Sequence, residues 1–370
     1  MLFSRKITSD SSQNRIAWQK FKSDPIGFGS FVFILFIAFV SLFTYFIVPD
    51  KTSNCDRQQL EIALIPSFTT VSYLKIPKDT LLHTNIVTQF LYGKKENYQW
   101  IPIKNISVKN DSLFYEKIIH YTSQQSIQES RAITQIPNFN PKENLVRKHY
   151  FFGTDRFGRD FFSRLVLGAR ISLLIGFTAV IISLFVGIFI GSLAGYYGGK
   201  IDAFLSWCMN VIWSIPTLLM VLAITIALGK GLIPVFIAVG LSMWVDVARI
   251  VRGQFLSLRE KEFIEAGKAL GYKDARIILH HILPNAIAPI LVIATSNFAA
   301  AILVEAGLSF LGFGVQPPAP TWGNMIETNR AFIITSQAHL AIIPGIAIAT
   351  LVLAFTLVSN ALRNAFVEKN

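Results

Sequence analysis

Apolar positions along this chain gather into six long blocks, at about 28–48, 168–196, 203–228, 232–250, 286–313 and 339–362. A helix crosses roughly 30 Å of hydrocarbon with about 20 predominantly apolar residues. Each block is of that order, so the pattern predicts six membrane-spanning helices. A long polar stretch, 49–150, separates the first two blocks. Its β-prone runs are short, as in Thr69-Thr70-Val71-Ser72-Tyr73-Leu74 and Trp100-Ile101-Pro102-Ile103, and are bounded by Pro, Asn and Lys. About 100 residues suffice for a small domain; the alternative is a poorly ordered loop. The expected fold is all-α transmembrane, with six spans and a large insertion after the first. Its parts are a tail (1–27), a first span (28–48), the insertion (49–150) and a membrane domain (151–366).

Composition agrees with the pattern. Of 370 residues, 52% are hydrophobic and 15% charged, where a soluble domain carries about 25% charged residues. The first block follows Arg15, Lys20 and Lys22, as a secretory signal would. It is longer than a signal core, however, and runs into Pro49-Asp50-Lys51 without a small-residue cleavage site. It therefore reads as an uncleaved span.

The net charge of +12 raises nucleic acid as a partner. The basic residues instead sit beside the apolar blocks, which fits anionic lipid headgroups and excludes nucleic acid from the reading. They also orient the chain. Arg5, Lys6, Arg15, Lys20 and Lys22 place the N-terminal tail in the cytoplasm. Arg249, Arg252, Arg259, Lys261, Lys268, Lys273 and Arg276 place the 251–285 segment there too. With six spans the C-terminus, bearing Arg363 and Lys369, is also cytoplasmic, and 49–167 faces out.

The most informative segment runs from Glu260 to Pro289. Phe263, Ala266, Gly267 and Leu270 recur at i, i+3, i+4 and i+7, one apolar face of a short helix. Gly271 follows where a left-handed C-cap belongs. A second helix is expected from about Asp274 to Leu283, interrupted at Pro284. The stripe suits a groove on a partner or, equally, a bed of lipid headgroups.

The spacing Glu265-Ala266-Gly267, three residues, Gly271, nine residues, His281, one residue, Leu283-Pro284 resembles the EAA loop of importer-type ABC permeases. Gly267 stands for the family's Ala and His281 for its Ile. The histidine is usual in the peptide-transporter branch. Three further segments are similar to dipeptide and oligopeptide permeases of the second-permease branch: Gly153 to Asp160 leading to Gly168 to Leu173, Gly195 to Asp202, and Leu308 to Pro318 with Thr321-Trp322-Gly323. The resemblance covers 151–366 and, loosely, the first span; the long insertion departs from it. It implies a bacterial inner-membrane, multi-pass importer subunit whose loop docks an ATPase through Phe263, Glu265, Ala266, Gly267, Leu270, Gly271, Leu283 and Pro284. The implied partners are a second homologous permease, two ABC ATPase subunits and an extracytoplasmic peptide-binding protein. Nickel chelates and antimicrobial peptides use similar permeases.

Other residues carry weaker chemistry. Glu305 lies deep in the fifth block, where an ionisable group is costly and is a candidate for the pathway or for bracing neighbouring helices. Asp155, Arg159 and Asp160 are expected to pair locally and shape the outer mouth, contributing about 0–1 kcal/mol if exposed. Two carboxylates without further ligands do not make a metal site. His280 and His281 are adjacent and project apart. Asp246 and Arg249 are expected to pair at i, i+3. Cys55 and Cys208 lie in dissimilar surroundings and are not expected to form a disulfide. No cofactor is implied.

The sequence contains no GxxxxGK[ST] phosphate loop, GxSxG or HExxH. It therefore reads as a non-catalytic subunit rather than a membrane enzyme. An ion-driven secondary transporter would leave the EAA-like loop unexplained.

Overall fold

The structure, a computed structural model, describes residues 13–78, 83–109, 112–136 and 139–367. Arg5, Lys6 and Lys369 lie outside these. Contacts divide the chain into two units. The first comprises the described parts of Met1–Ile37, Ser172–Val315 and Ile346–Asn370; the second is Ala38–Ile171 with Gln316–Gly345.

The chain is mostly helical. In order come α1 (Gln13–Ser23), α2 (Pro25–Leu42), α3 (Phe161–Tyr197), α4 (Gly199–Trp213), α5 (Thr217–Leu228), α6 (Leu232–Ser242), α7 (Trp244–Leu258) and α8 (Glu262–Ala269). Then follow α9 (Asp274–Phe310), α10 (Trp322–Asn329) and α11 (His339–Val367). Local chemistry sets several starts. Asp24 Oδ1 accepts the N–H groups of Ile26 and Gly27 at 3.1 Å, capping α2, whose first residue is Pro25. Asp160 Oδ2 accepts the Ser163 N–H at 3.0 Å at the head of α3. Thr321 and Asn324 form a capping box on α10.

Among the described residues, five helices are long and apolar enough to cross a membrane: Pro25–Leu42, Phe161–Tyr197, Leu232–Leu258, Asp274–Phe310 and His339–Phe366. The block expected as one span over 203–228 is a bent pair, α4 and α5, turned by 89°. Pro216 explains the break. It lacks an N–H and pushes Ile215 out of the helical region. The count is therefore five, or six if the bent pair is one span.

A second departure concerns Pro284. No helix ends there. Residues 277–282 form a π-helical turn, and the chain continues as α9 to Phe310. The wider turn re-registers the hydrogen-bond ladder around a residue that cannot donate.

The second unit is not all-α. It carries an antiparallel sheet of five strands, β1 (Thr69–Pro77), β2 (Tyr98–Lys109), β3 (Ser112–His120), β4 (Gln125–Ala132) and β5 (Leu145–Tyr150), in the order β4-β3-β2-β1-β5. Both β-prone runs are in it. Alternate residues of β1 enter two cores. Leu74 and Ile76 pack with Ile101, Ile103, Leu113 and Tyr115. Val71 and Tyr73 pack with Ile62, Ile65 and Tyr150. A strand that feeds a core on each face carries apolar residues at both parities, as β1 does at Val71, Tyr73, Leu74 and Ile76.

Candidate functional site

The site is built on a close helix crossing in the first unit. Gly187, Gly191 and Gly195 line one side of α3 and meet α7. A Cβ on them would lie 2.5 Å from Val247 Cβ, 2.4 Å from the Ala248 carbonyl oxygen and 2.5 Å from Phe255 Cβ. The glycine row thus seats α7 against α3 at backbone contact. From the crossing onward, Tyr196, Val247, Val251, Phe255, Ile264, Ile277, Ile282, Ala286 and Ile290 form one buried cluster. Ile264, from α8, roots the loop in it. Arg252 reinforces the frame by donating to Asp202 of α4 at 2.7 Å.

α8 ends in a full C-cap. The Tyr272 N–H donates to the Gly267 carbonyl at 3.1 Å and the Gly271 N–H to Lys268 at 2.9 Å. This is the Schellman pattern, and Gly271 takes φ 77°, a region L side chains avoid. The expected stripe divides. Phe263, Ala266 and Leu270 are exposed, Leu270 by 71%, whereas Gly267 is buried. Its missing Cβ would lie 3.4 Å from the Tyr272 ring, so Gly267 belongs to the elbow rather than to the presented face. The Tyr272 ring is stacked on His281 at 5.6 Å, and the Arg276 guanidinium lies 4.2 Å from its centre. Glu265 is exposed, Leu283 half-buried and Pro284 exposed. A small apolar knob therefore projects from a well-rooted elbow.

The acid–base run 155–160 is not an exposed rim. Asp155, Arg159 and Asp160 are 3%, 5% and 6% exposed. Arg159 bonds Asp155 at 2.7 Å and Asp56 at 2.8 Å. Thr154 Oγ1 accepts the Ile65 N–H at 3.2 Å and donates to the Ile62 carbonyl at 2.5 Å. Arg164 reaches the Pro318 carbonyl at 3.4 Å. The run ties 50–65 to the head of α3. Asp50, Asp56 and Arg164 belong to this knot and were not legible, since nothing in their spacing couples them to 155–160. Desolvation pushes the Asp160 carboxyl up to about 6 and the Lys148 ammonium down to about 7. Both line a cavity of about 20 Å³ with Asp50, Arg57 and Tyr150.

The remaining candidates scatter. Glu305 is buried in α9 and accepts the Ser309 hydroxyl at 2.7 Å. Asp246 and Arg249 bond other residues instead of each other: Trp213 Nε1 donates to Asp246 at 3.2 Å and Arg249 to Asn210 at 2.7 Å. Both bonds lead to α4, because its residues offer partners nearer the side-chain ends than the next helical turn does. Cys55 and Cys208 are free. No cluster of three His, Cys, Asp or Glu suited to a metal occurs among the described residues.

Two family models match this chain. Residues 187–369 match the binding-protein-dependent transport system inner membrane component family. Residues 12–66 match the N-terminal TM domain of oligopeptide transport permease C. The dipeptide transport system permease protein DppC of Alkalihalophilus pseudofirmus is 46% identical over 62% of this chain and 76% of its own length. The oligopeptide transport system permease protein OppC of Bacillus subtilis is 39% identical over 60% and 72%. An inward-facing MetNI methionine ABC transporter structure aligns over 54% of this chain and 95% of that one, at 20% identity and a TM-score of 0.44. The chain belongs to the binding-protein-dependent transport system inner membrane component family. The sheet, 69–150, lies between the two matched stretches.

Proposed function

We propose that this chain is a permease subunit of an ATP-driven importer of dipeptides or oligopeptides. It forms the path with a second permease and is moved by separate ATPase subunits docked on 262–284. Relatives named as dipeptide and oligopeptide permeases support the substrate class. The observation that carries the coupling role is the exposed knob of Phe263, Ala266 and Leu270 on an elbow whose other face is buried. A partner groove would take the knob, while Ile264 carries the load into α3 and α7. In this reading both termini are cytoplasmic, the sheet domain faces out, and an extracytoplasmic binding protein delivers substrate. Asp155, Arg159 and Asp160 then stiffen the outer end of α3. Glu305, buried in α9, serves as a brace for neighbouring helices.

The test is Gly271→Val, which opposes a positive φ with a β-branched side chain, beside Gly267→Trp, which collides with Tyr272. Both should leave membrane levels intact and abolish co-purification of ATPase subunits. A headgroup-anchored loop would tolerate Trp. Retention of stoichiometric ATPase by both variants would overturn the docking role.

A further inference from the structure

Besides its apolar root, the loop is joined to the frame by a hydrogen bond and by the Lys268 ammonium, 5.7 Å from the centre of the Tyr196 ring. Tyr196 Oη, in the last turn of α3, donates to Asp274 Oδ1 at 2.6 Å. Tyr196 is 8% exposed, so its ring is fixed by the cluster that holds Ile264 and Ile277. Asp274 is the first residue of α9, two positions past the Tyr272 ring that closes the elbow. The same end of α3 is held from the C-cap of α7, where Arg259 donates to the carbonyls of Gly195 and Tyr196 at 3.3 and 3.4 Å. Elbow, α9 head and α3 end thus meet at one hydroxyl.

We infer that Tyr196 and Asp274 are positioning residues that transmit movement of the docked loop to α3. Apolar packing resists compression but allows sliding, since its attraction is non-directional. A short hydrogen bond to a carboxylate is directional and stronger than a neutral one. A push on the knob at Phe263 and Leu270 reaches α9 through the Gly271 elbow. The Tyr196–Asp274 bond then prevents the α9 head from slipping past α3. Without it the loop would still dock but would move partly alone. The inference rests on the docking role proposed above and adds a route from the dock to the spans.

The experiment uses the whole importer, with ATPase subunits and binding protein, reconstituted in liposomes. Labelled di-, tri- and tetra-alanine serve as probes. Tyr196→Phe removes only the hydroxyl. It should keep ATPase subunits at the wild-type ratio and lower uptake per ATP hydrolysed by roughly tenfold, the scale of one hydrogen bond to a charged acceptor. Asp274→Ala should match it, whereas Asp274→Asn, which keeps an acceptor oxygen, should retain most of the coupling. The double variant Tyr196→Phe/Asp274→Ala should be no worse than either single one. Wild-type uptake per ATP in Tyr196→Phe, or multiplied losses in the double variant, would overturn the inference while leaving the dock intact. Loss of ATPase subunits in Tyr196→Phe would also overturn it, by making the bond part of the dock. Failure of the docking role itself appears separately, as ATPase retained by Gly271→Val.

Discussion

The guanidinium of Arg159 lies 2.8 Å from the carboxylate of Asp56, a residue 103 positions earlier in the chain. Both groups are sheltered, with side chains 6% and 23% exposed, and Arg159 also holds Asp155 at 2.7 Å. Removing one partner of a buried pair strands the other charge, which costs about 3–5 kcal/mol. Arg159→Ala should therefore lower the thermal midpoint of the purified chain by several degrees. Arg159→Lys should recover only part, because an ammonium cannot span two carboxylates as a planar fork does. Trp100, in the sheet, offers a fluorescence probe. An unchanged midpoint in Arg159→Ala would mean the knot contributes nothing to stability.

Lys148 and Asp160 give this unit a pH signature. Asp160, raised to about 6, contributes stability below its unfolded pKa that is lost as pH rises through 6. Lys148, lowered to about 7, contributes stability above its unfolded pKa that is lost as pH falls through 7. Both contributions are therefore smallest between pH 6 and 7. The groups that influence one or both are Asp50, Arg57, Glu96 and Ser163. Asp160→Asn should remove the acidic limb of the profile and Lys148→Met the basic limb. A difference between wild type and Asp160→Asn that stays flat from pH 4 to 7 would contradict the assignment.

The glycine row makes an internal comparison possible. Gly191→Leu places a side chain where a Cβ already lies 2.4 Å from the Ala248 carbonyl. Overpacking of this kind costs typically 1–3 kcal/mol, and the variant should accumulate poorly in the membrane. Gly253→Ala, in α7, meets nothing within 4 Å and should be neutral or stabilising by about 0.5–1 kcal/mol. Equal membrane levels for the two would exclude the crossing as a constraint.

Orientation is open to direct labelling. A cysteine at Ser112, in β3, should react with an impermeant thiol reagent in intact spheroplasts. One at Lys273, beside the elbow, should react only after lysis. The reverse pattern would invert the assigned topology.

Much of the candidate site was legible because its signals are local. A glycine at a helix end, an apolar spacing of three and four, and basic residues beside apolar blocks depend on neighbours within a few positions. Hence Gly271 and the exposed Phe263, Ala266 and Leu270 could be placed before any fold was seen. Gly267 was misplaced on the presented stripe because helical spacing gives a residue's angle around the helix but not which neighbour covers it. Tyr272 decides that.

Elsewhere only the tertiary structure spoke. Hydrophobic content cannot distinguish a straight span from one turned by 89° at Pro216, since both bury the same apolar residues. Nor can it show that a π turn carries the chain past Pro284. The bond from Tyr196 to Asp274 and that from Arg159 to Asp56 join residues 78 and 103 positions apart. No periodicity relates such partners. The sequence by itself determined that this chain lives in a membrane, where its elbow turns and which face of a short helix is apolar, because those follow from transfer free energy and backbone sterics. Which distant polar groups meet, and therefore how the elbow is held and the 50–65 segment tied to the head of α3, was decided by chain packing, which alone brings those groups within hydrogen-bond reach.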